Sequence, residues 1–219
     1  MKMTLFRVSL LLALILTFGS PPAAGAQDNL KLAQPALTQG QTVLQALKAR
    51  KSERDFGSAE LSRQRLSEVL WAAGGVNRQL PDGRVGRTAP SSHGDQAIEI
   101  YALTKDAVYK YDHLGHELVF LLDGDHRAAA GVQSYVAGAP LNLIYAADLS
   151  RVSGDTEADK LAAVYMDVGH ISENVYLYGA SAGLNVICRS SIDRDELKSL
   201  LKLPEHYLPL LGQTVGLPK

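Results

Sequence analysis

Two short stretches hold the side chains of this chain that could grip a ligand. The first is Arg87-Thr88-Ala89-Pro90-Ser91-Ser92-His93-Gly94-Asp95-Gln96. Small residues, hydroxyls and a glycine precede the alternating run Ala97-Ile98-Glu99-Ile100-Tyr101-Ala102-Leu103, so a loop rich in backbone and side-chain donors is delivered to a sheet edge. Such a loop suits a flat, polar ligand, although read by itself the pattern is more often a plain turn. The second stretch, Arg50-Lys51-Ser52-Glu53-Arg54, sets three cations and a hydroxyl within five residues. A phosphate monoester, carrying about −1.5 to −2 charges at neutral pH, takes charge-assisted hydrogen bonds from such a set. The alternative is that these cations offset the negative end of a helix dipole.

Other reactive residues form no comparable pattern. Asp112, His113, His116, Asp123, Asp125 and His126 crowd one region, but they include no paired histidines on a helix and no tetrahedral ligand spacing; they read as polar turn residues rather than a metal centre. Cys188 is the single cysteine, which excludes an intramolecular disulfide, and within Leu184-Asn185-Val186-Ile187-Cys188 it reads as a small buried hydrophobe. No Ser-His-Asp order or carboxylate pair stands out, so no catalytic side chain is assigned.

The elements that must position the two stretches follow from periodicity. A helix is expected from Thr38, with Val43, Leu44 and Leu47 on one face, running into the cations at Lys48 to Arg54. A second starts at Ser62, carries Leu66, Val69, Leu70 and Ala73, and stops at Gly74-Gly75, with Trp71 in the core. Asn77 to Gly86, containing Pro81-Asp82-Gly83, is an exposed loop. Ile98–Leu103 and Ala107–Tyr111 form a hairpin, Asp125 to Val136 a helix, and Leu141 to Ala147 a buried strand. The longest helix spans Thr156 to Ala182 and is closed by Gly183 as a left-handed cap. Its broad apolar and small-residue face fits either a dimer contact or a central core helix. A strand at Leu184–Cys188, a polar turn at Arg189-Ser190-Ser191, a short helix at Asp193–Leu201 and a last strand at Leu210–Leu217 complete the chain.

With 219 residues, 46% hydrophobic and 21% charged, the composition is that of one globular domain with a sizeable core. Residues 1–26 stand apart. Lys2 and Arg7 precede an apolar run from Ser9 to Phe18, and Ala24-Gly25-Ala26 offers a small-x-small cleavage site, so a secretory signal peptide cut after Ala26 is expected. The run is too short to span a bilayer comfortably, which argues against stable membrane insertion. The mature chain is then periplasmic or secreted, with residues 27–40 as an N-terminal arm and 41–219 as the domain. Losing Lys2 and Arg7 and no acid moves the net charge from −1 to −3, a balance that gives nucleic acid no purchase.

Taken in order, Arg50-Lys51-Ser52-x-Arg54, Ala89-Pro90-Ser91-Ser92-x-Gly94-x-Gln96, Asp167-x-Gly169-His170-x-x-x-Asn174, Gly183-Leu184 and Val215-Gly216-Leu217-Pro218 resemble the nitroreductase-like flavoprotein family. The likeness runs from about Gln41 to Lys219. It looks closest to the branch related to dehydrogenases that oxidise azolines in thiazole- and oxazole-containing peptides. The resemblance implies an α+β fold with a mostly antiparallel central sheet flanked by helices. It also implies an intertwined homodimer packed through the long helix, with FMN in each of two interface clefts.

Carried over residue by residue, the resemblance gives Arg50, Ser52 and Arg54 the ribityl phosphate, with Lys51 nearby and Lys219 as a last cationic contact. Pro90, Ser91 and Ser92 would line the isoalloxazine ring from the other subunit, Gly94 stands where relatives often have Asn, and Gln96 would reach the ring or ribityl edge. Arg189 and Ser190 fall where the family places a backbone donor near flavin N5. The implied activity is hydride transfer through the flavin between a small-molecule donor and acceptor, with ping-pong kinetics because both use one cleft. Gly94, and a basic C-terminal contact of the family reduced here to Lys219, leave open a second reading: a degenerate dimer of the same fold that binds flavin weakly or takes another ligand.

Overall fold

The computed structural model describes residues 28–219; the expected signal peptide lies outside the described residues. A seven-stranded sheet forms the centre. Its strands are β1 (Leu30–Lys31), β4 (Ile98–Leu103), β5 (Ala107–Asp112), β6 (Glu117–Asp123), β7 (Leu141–Asp148), β8 (Asn185–Arg189) and β9 (Tyr207–Gly216). They run in the order β1-β6-β5-β4-β7-β9-β8, and their pairings are antiparallel. A separate hairpin joins β2 (Val76–Gln79) to β3 (Val85–Arg87).

Both faces of the middle strands are buried, and β7 is buried along its whole length, with Asn142 and Asp148 the polar residues in a mostly apolar strand. Ile98 and Ile100 of β4 and Leu143 and Tyr145 of β7 pack under α2 (Arg63–Gly74) and α3 (Glu157–Ala182), against Val69, Leu70, Val164 and Val175. The alternate residues Tyr101, Leu103 and Ile144 face α4 (Arg194–Leu200), where Leu197 is wholly buried. Each such leucine or isoleucine contributes about 1.5–3 kcal/mol by leaving water.

The helix boundaries follow local chemistry. α3 opens on a capping box, in which Thr156 accepts from the Asp159 N–H and the Asp159 carboxylate accepts from the Thr156 N–H. It closes on Gly183 at φ 68°, the left-handed conformation expected there. Ser62 caps α2 and Asp193 caps α4.

The first helix departs from expectation. α1 (Val43–Ala49) starts at a Thr42–Gln45 capping box, not at Thr38, and ends when Arg50 turns extended at ψ 124°. Lys51, Ser52 and Arg54 therefore lie off the helix, and the dipole reading survives only for Lys48 in the last turn. Its apolar face also points outward: Val43, Leu44 and Leu47 are 69%, 78% and 50% exposed, while Ala46 is buried.

Three further expectations are corrected. Asn77 to Gly86 is mostly hairpin. Asp125 to Val136 contains only a single 3-10 turn at Arg127–Ala130, because the Ala130 carbonyl is taken by Arg189 and Gly131 is fully extended. Asp112 and Asp123, expected at turns, are the last residues of strands β5 and β6; the β6 edge receives the arm through Leu30–Leu118 pairing and a hydrogen bond from the Phe120 N–H to Asn29 Oδ1 at 3.0 Å.

Candidate functional site

The Pro90 loop leaves β3 and is held in shape from four sides. The Ser92 N–H and hydroxyl both donate to one carboxylate oxygen of Asp167 on α3, at 2.8 and 2.9 Å. The Gln96 N–H donates to Ser91 Oγ at 3.0 Å, and its side-chain amide donates to the Val85 carbonyl at 2.7 Å. Arg151 donates to the Gln96 carbonyl, and Ser153 donates twice to Asp95, at 2.6 and 3.0 Å. These bonds hold a backbone that side chains resist, with positive φ at His93 (53°), Gly94 (73°) and Gln96 (50°). Strained backbone that its surroundings over-determine is characteristic of ligand loops.

Behind the loop, Arg87 ties the hairpin to the body of the domain. Its Nε donates at 2.6 Å to the Gly74 carbonyl, at the negative C-terminal end of α2. Burial pushes the guanidinium down to about 10, with Arg151 adding repulsion and Tyr111 and Glu99 opposing it. Asp167 is itself 3% exposed.

The cationic segment lies elsewhere. From Arg50 to Asp55 the chain runs extended beside β8, with the Glu53 N–H donating to the Val186 carbonyl at 3.0 Å and Asn185 donating to the Asp55 carbonyl at 2.6 Å. The Arg50 guanidinium stands 5.6 Å from the centre of the Tyr176 ring, and Ser52 Oγ is 3.0 Å from the Tyr176 hydroxyl. Lys51 pairs with Glu53, and Arg54 is exposed. The C-terminal segment returns to the same place: the Gly57 N–H donates to the Leu217 carbonyl at 2.8 Å, and Lys219 pairs with Asp55 at 3.2 Å. Arg50, Ser52, Arg54 and Lys219 thus share one neighbourhood, a donor set suited to a phosphate.

Arg189 and Ser190 part company. Arg189 ends β8 instead of opening a turn, and its side chain is buried, donating to Thr214 Oγ1 at 2.6 Å, the Ala130 carbonyl at 2.8 Å and Asn142 Oδ1 at 3.2 Å. Arg189 is left only its backbone to meet a ligand, whereas Ser190 is exposed. Cys188 is half-buried, and burial pushes its thiol up.

The two stretches are held from different places on α3. Asp167 and Tyr176, which hold Ser92 and Ser52, flank the buried stripe Val164, Val168, Ile171 and Val175 from opposite sides. At 1.5 Å rise and 3.6 residues per turn they are about 14 Å apart along α3 and half a turn round it. Between α1, α2 and α3 opens a cavity of about 830 Å³, lined by Val43, Glu68, Trp71, Asn174, Tyr178 and others. Trp71, expected in the core, instead forms part of this wall and donates its Nε1 proton to the Val76 carbonyl at 3.1 Å.

Asp167 and Tyr176 were not legible as partners of the two stretches. Asp167 gave two signals, its place in the Asp167-x-Gly169-His170 motif and an acid set into an otherwise apolar helix stripe, and neither names Ser92 as its partner. Tyr176 left none, since a tyrosine at helical spacing reads as core.

Comparison with known proteins gives a consistent answer. The model of the nitroreductase family matches residues 47–217. A nitroreductase-family protein of Methanocaldococcus jannaschii is 35% identical over 177 residues, 76% of this chain and 86% of its own. A crystal structure of a nitroreductase-family protein from Ralstonia eutropha superposes with TM-score 0.82 at 36% identity, covering 91% of this chain and 93% of that one. A chain of the Escherichia coli microcin synthetase complex shares the fold, with TM-score 0.62 at 17% identity over 91% of this chain and 78% of its own.

Proposed function

The chain belongs to the nitroreductase family, and from that membership we propose that it is an exported FMN-dependent oxidoreductase, acting as a homodimer between a small-molecule electron donor and acceptor. The observation that carries this reading is the division of the site along α3. One flank presents the Pro90–Gln96 loop, a platform of small residues held rigid by its own hydrogen bonds. The other presents Arg50, Ser52 and Arg54, a set that fits a phosphate. A second copy brings the loop of one protomer to the cationic segment of the other. A two-fold interface repeats the arrangement, giving two equal clefts. The outward apolar face of α1 and the exposed Tyr165 and Met166 of α3 supply surface for that contact.

The chain's own residues bind and orient. Arg50 and Arg54 would neutralise the phosphate, Ser52 would donate to it, and the backbone at Arg189 and Ser190 would lie near the ring. Bound FMN supplies the hydride chemistry through its own N5. Because donor and acceptor use one cleft in turn, ping-pong kinetics are expected. The fold-level likeness to a microcin synthetase chain makes azolines one acceptor or donor class to test beside nitro compounds and quinones. Export rests on the pattern Lys2, Arg7, Ser9–Phe18 and Ala24-Gly25-Ala26. A mature chain that begins at Gln27 supports it, and a retained Met1 contradicts it.

The test is flavin retention through gel filtration after incubation with excess FMN. Replacing Arg50 and Arg54 with Ala weakens binding by several kcal/mol, at about 1.5–3 kcal/mol for each charge-assisted bond. Unchanged retention moves the phosphate elsewhere. The second reading, a dimer that binds flavin weakly, is favoured by Gly94, which has no side chain to offer; a colourless wild-type dimer after this treatment selects it.

A further inference from the structure

Tyr176 touches the cationic segment at two points, through its ring under Arg50 and its hydroxyl beside Ser52. A third contact fixes the hydroxyl from behind: the Cys188 N–H donates to the phenol oxygen at 2.8 Å, joining α3 to β8. A phenol has a single proton. With the Cys188 N–H on one lone pair, either the phenol proton goes to Ser52 Oγ or the serine proton goes to the phenol. An anion beside Arg50 selects the first arrangement, because it accepts the serine proton that this arrangement turns outward. The chain of donors then runs from the Cys188 N–H through Tyr176 and Ser52 to the ligand.

Burial does not fix these residues, since Ser52 is exposed and Arg50 only half-buried. Without Tyr176, both side chains would sample several rotamers and lose that freedom on binding. We propose that Tyr176 is a positioning residue for the phosphate group, its ring holding the Arg50 guanidinium and its hydroxyl setting Ser52 as a donor. This rests on the FMN reading above.

The test uses the full-length dimer and two probes, FMN and riboflavin, which differ only in the phosphate. Tyr176→Phe keeps the ring and removes the hydroxyl. It raises the FMN dissociation constant roughly tenfold or more, the loss expected when a hydrogen bond to a charged group is disordered. Riboflavin binding is unchanged. Ser52→Ala loses a similar factor, and the double variant loses little beyond either single one, because the tyrosine acts through the serine. Parallel weakening of FMN and riboflavin would mean a merely structural role and overturn the proposal, as would additive losses in the cycle. Unaltered FMN binding in Tyr176→Phe overturns it too while leaving the FMN reading standing. Wild-type protein that binds no FMN removes both.

Discussion

Asp167 and Tyr176 stand nine residues apart on α3 and take opposite flanks of its buried stripe, the first holding Ser92 and the second reaching Ser52. One rigid helix therefore fixes both halves of the candidate site while keeping them apart. In the proposed dimer, a flavin would lie between the loop of one copy and the cationic segment of the other.

The Ser92–Asp167 contact sets the loop. Asp167→Ala leaves the Ser92 N–H and hydroxyl without their acceptor and destabilises the fold by about 1.5–3 kcal/mol. Asp167→Asn, whose amide oxygen still accepts, costs less. Urea unfolding measures both, and FMN affinity falls in the same order. Equal stability of wild type and Asp167→Ala would remove the loop's anchor from the account.

Gly94 occupies a left-handed backbone with room beside it, the nearest atom to a notional Cβ being an Arg84 nitrogen at 3.4 Å. Asn tolerates that conformation, so Gly94→Asn changes stability by less than about 1 kcal/mol, whereas the β-branched Gly94→Val costs roughly 2 kcal/mol. The same urea titrations compare them. A Val variant as stable as wild type would show that the loop backbone is not held as described.

The exposed face of α1 is assigned to the dimer. Leu44→Glu with Leu47→Glu alters the stability of the isolated fold by only about 0.5 kcal/mol per site, since neither side chain is in the core. Sedimentation then reports a folded monomer, and flavin retention is lost with the partner. A variant that remains dimeric and yellow places the interface elsewhere.

Much of the fold could be read from the sequence because its signals are local. The Thr156 and Gly183 ends of α3, the Ser62 and Asp193 caps and the apolar run of β7 each declare themselves within a few residues. What escaped is set by tertiary partners. β6 mixes an apolar run with flanking His and Asp, and pairing with β5 and β1 decides its state. The turn at Arg127–Ala130 is shaped by Arg189, some sixty residues on. Both cationic and loop stretches were visible as candidates, but their distance from each other depends on the phase of α3, which no single motif encodes.

Acid should weaken the protein before its carboxylates titrate. Burial pushes His113 down to about 4, with Arg87, Arg151 and Lys110 adding repulsion against the pull of Asp112. Burial also lowers His116, helped by Lys31 and opposed by the Ala33 carbonyl it bonds. Both hold a proton less readily when folded than when unfolded, so the unfolded chain takes up protons first as pH falls through about 6.5, and stability declines from there. Urea midpoints between about pH 7 and pH 5 fall in wild type and fall less steeply in His113→Asn. An unchanged slope in that variant contradicts the assignment.

The most direct test of the shared site is a hybrid dimer. One protomer carries Arg50→Ala and Arg54→Ala, the other Ser92→Ala and Asp167→Asn, each with its own affinity tag so that the mixed species can be isolated. Each parent homodimer has two damaged clefts and elutes without flavin. In the hybrid, both defects fall in one cleft and the other is intact, so it retains about one FMN per dimer where the wild type retains about two. A hybrid as colourless as its parents, beside a yellow wild type, would contradict the account, because each protomer would then have to hold flavin by itself.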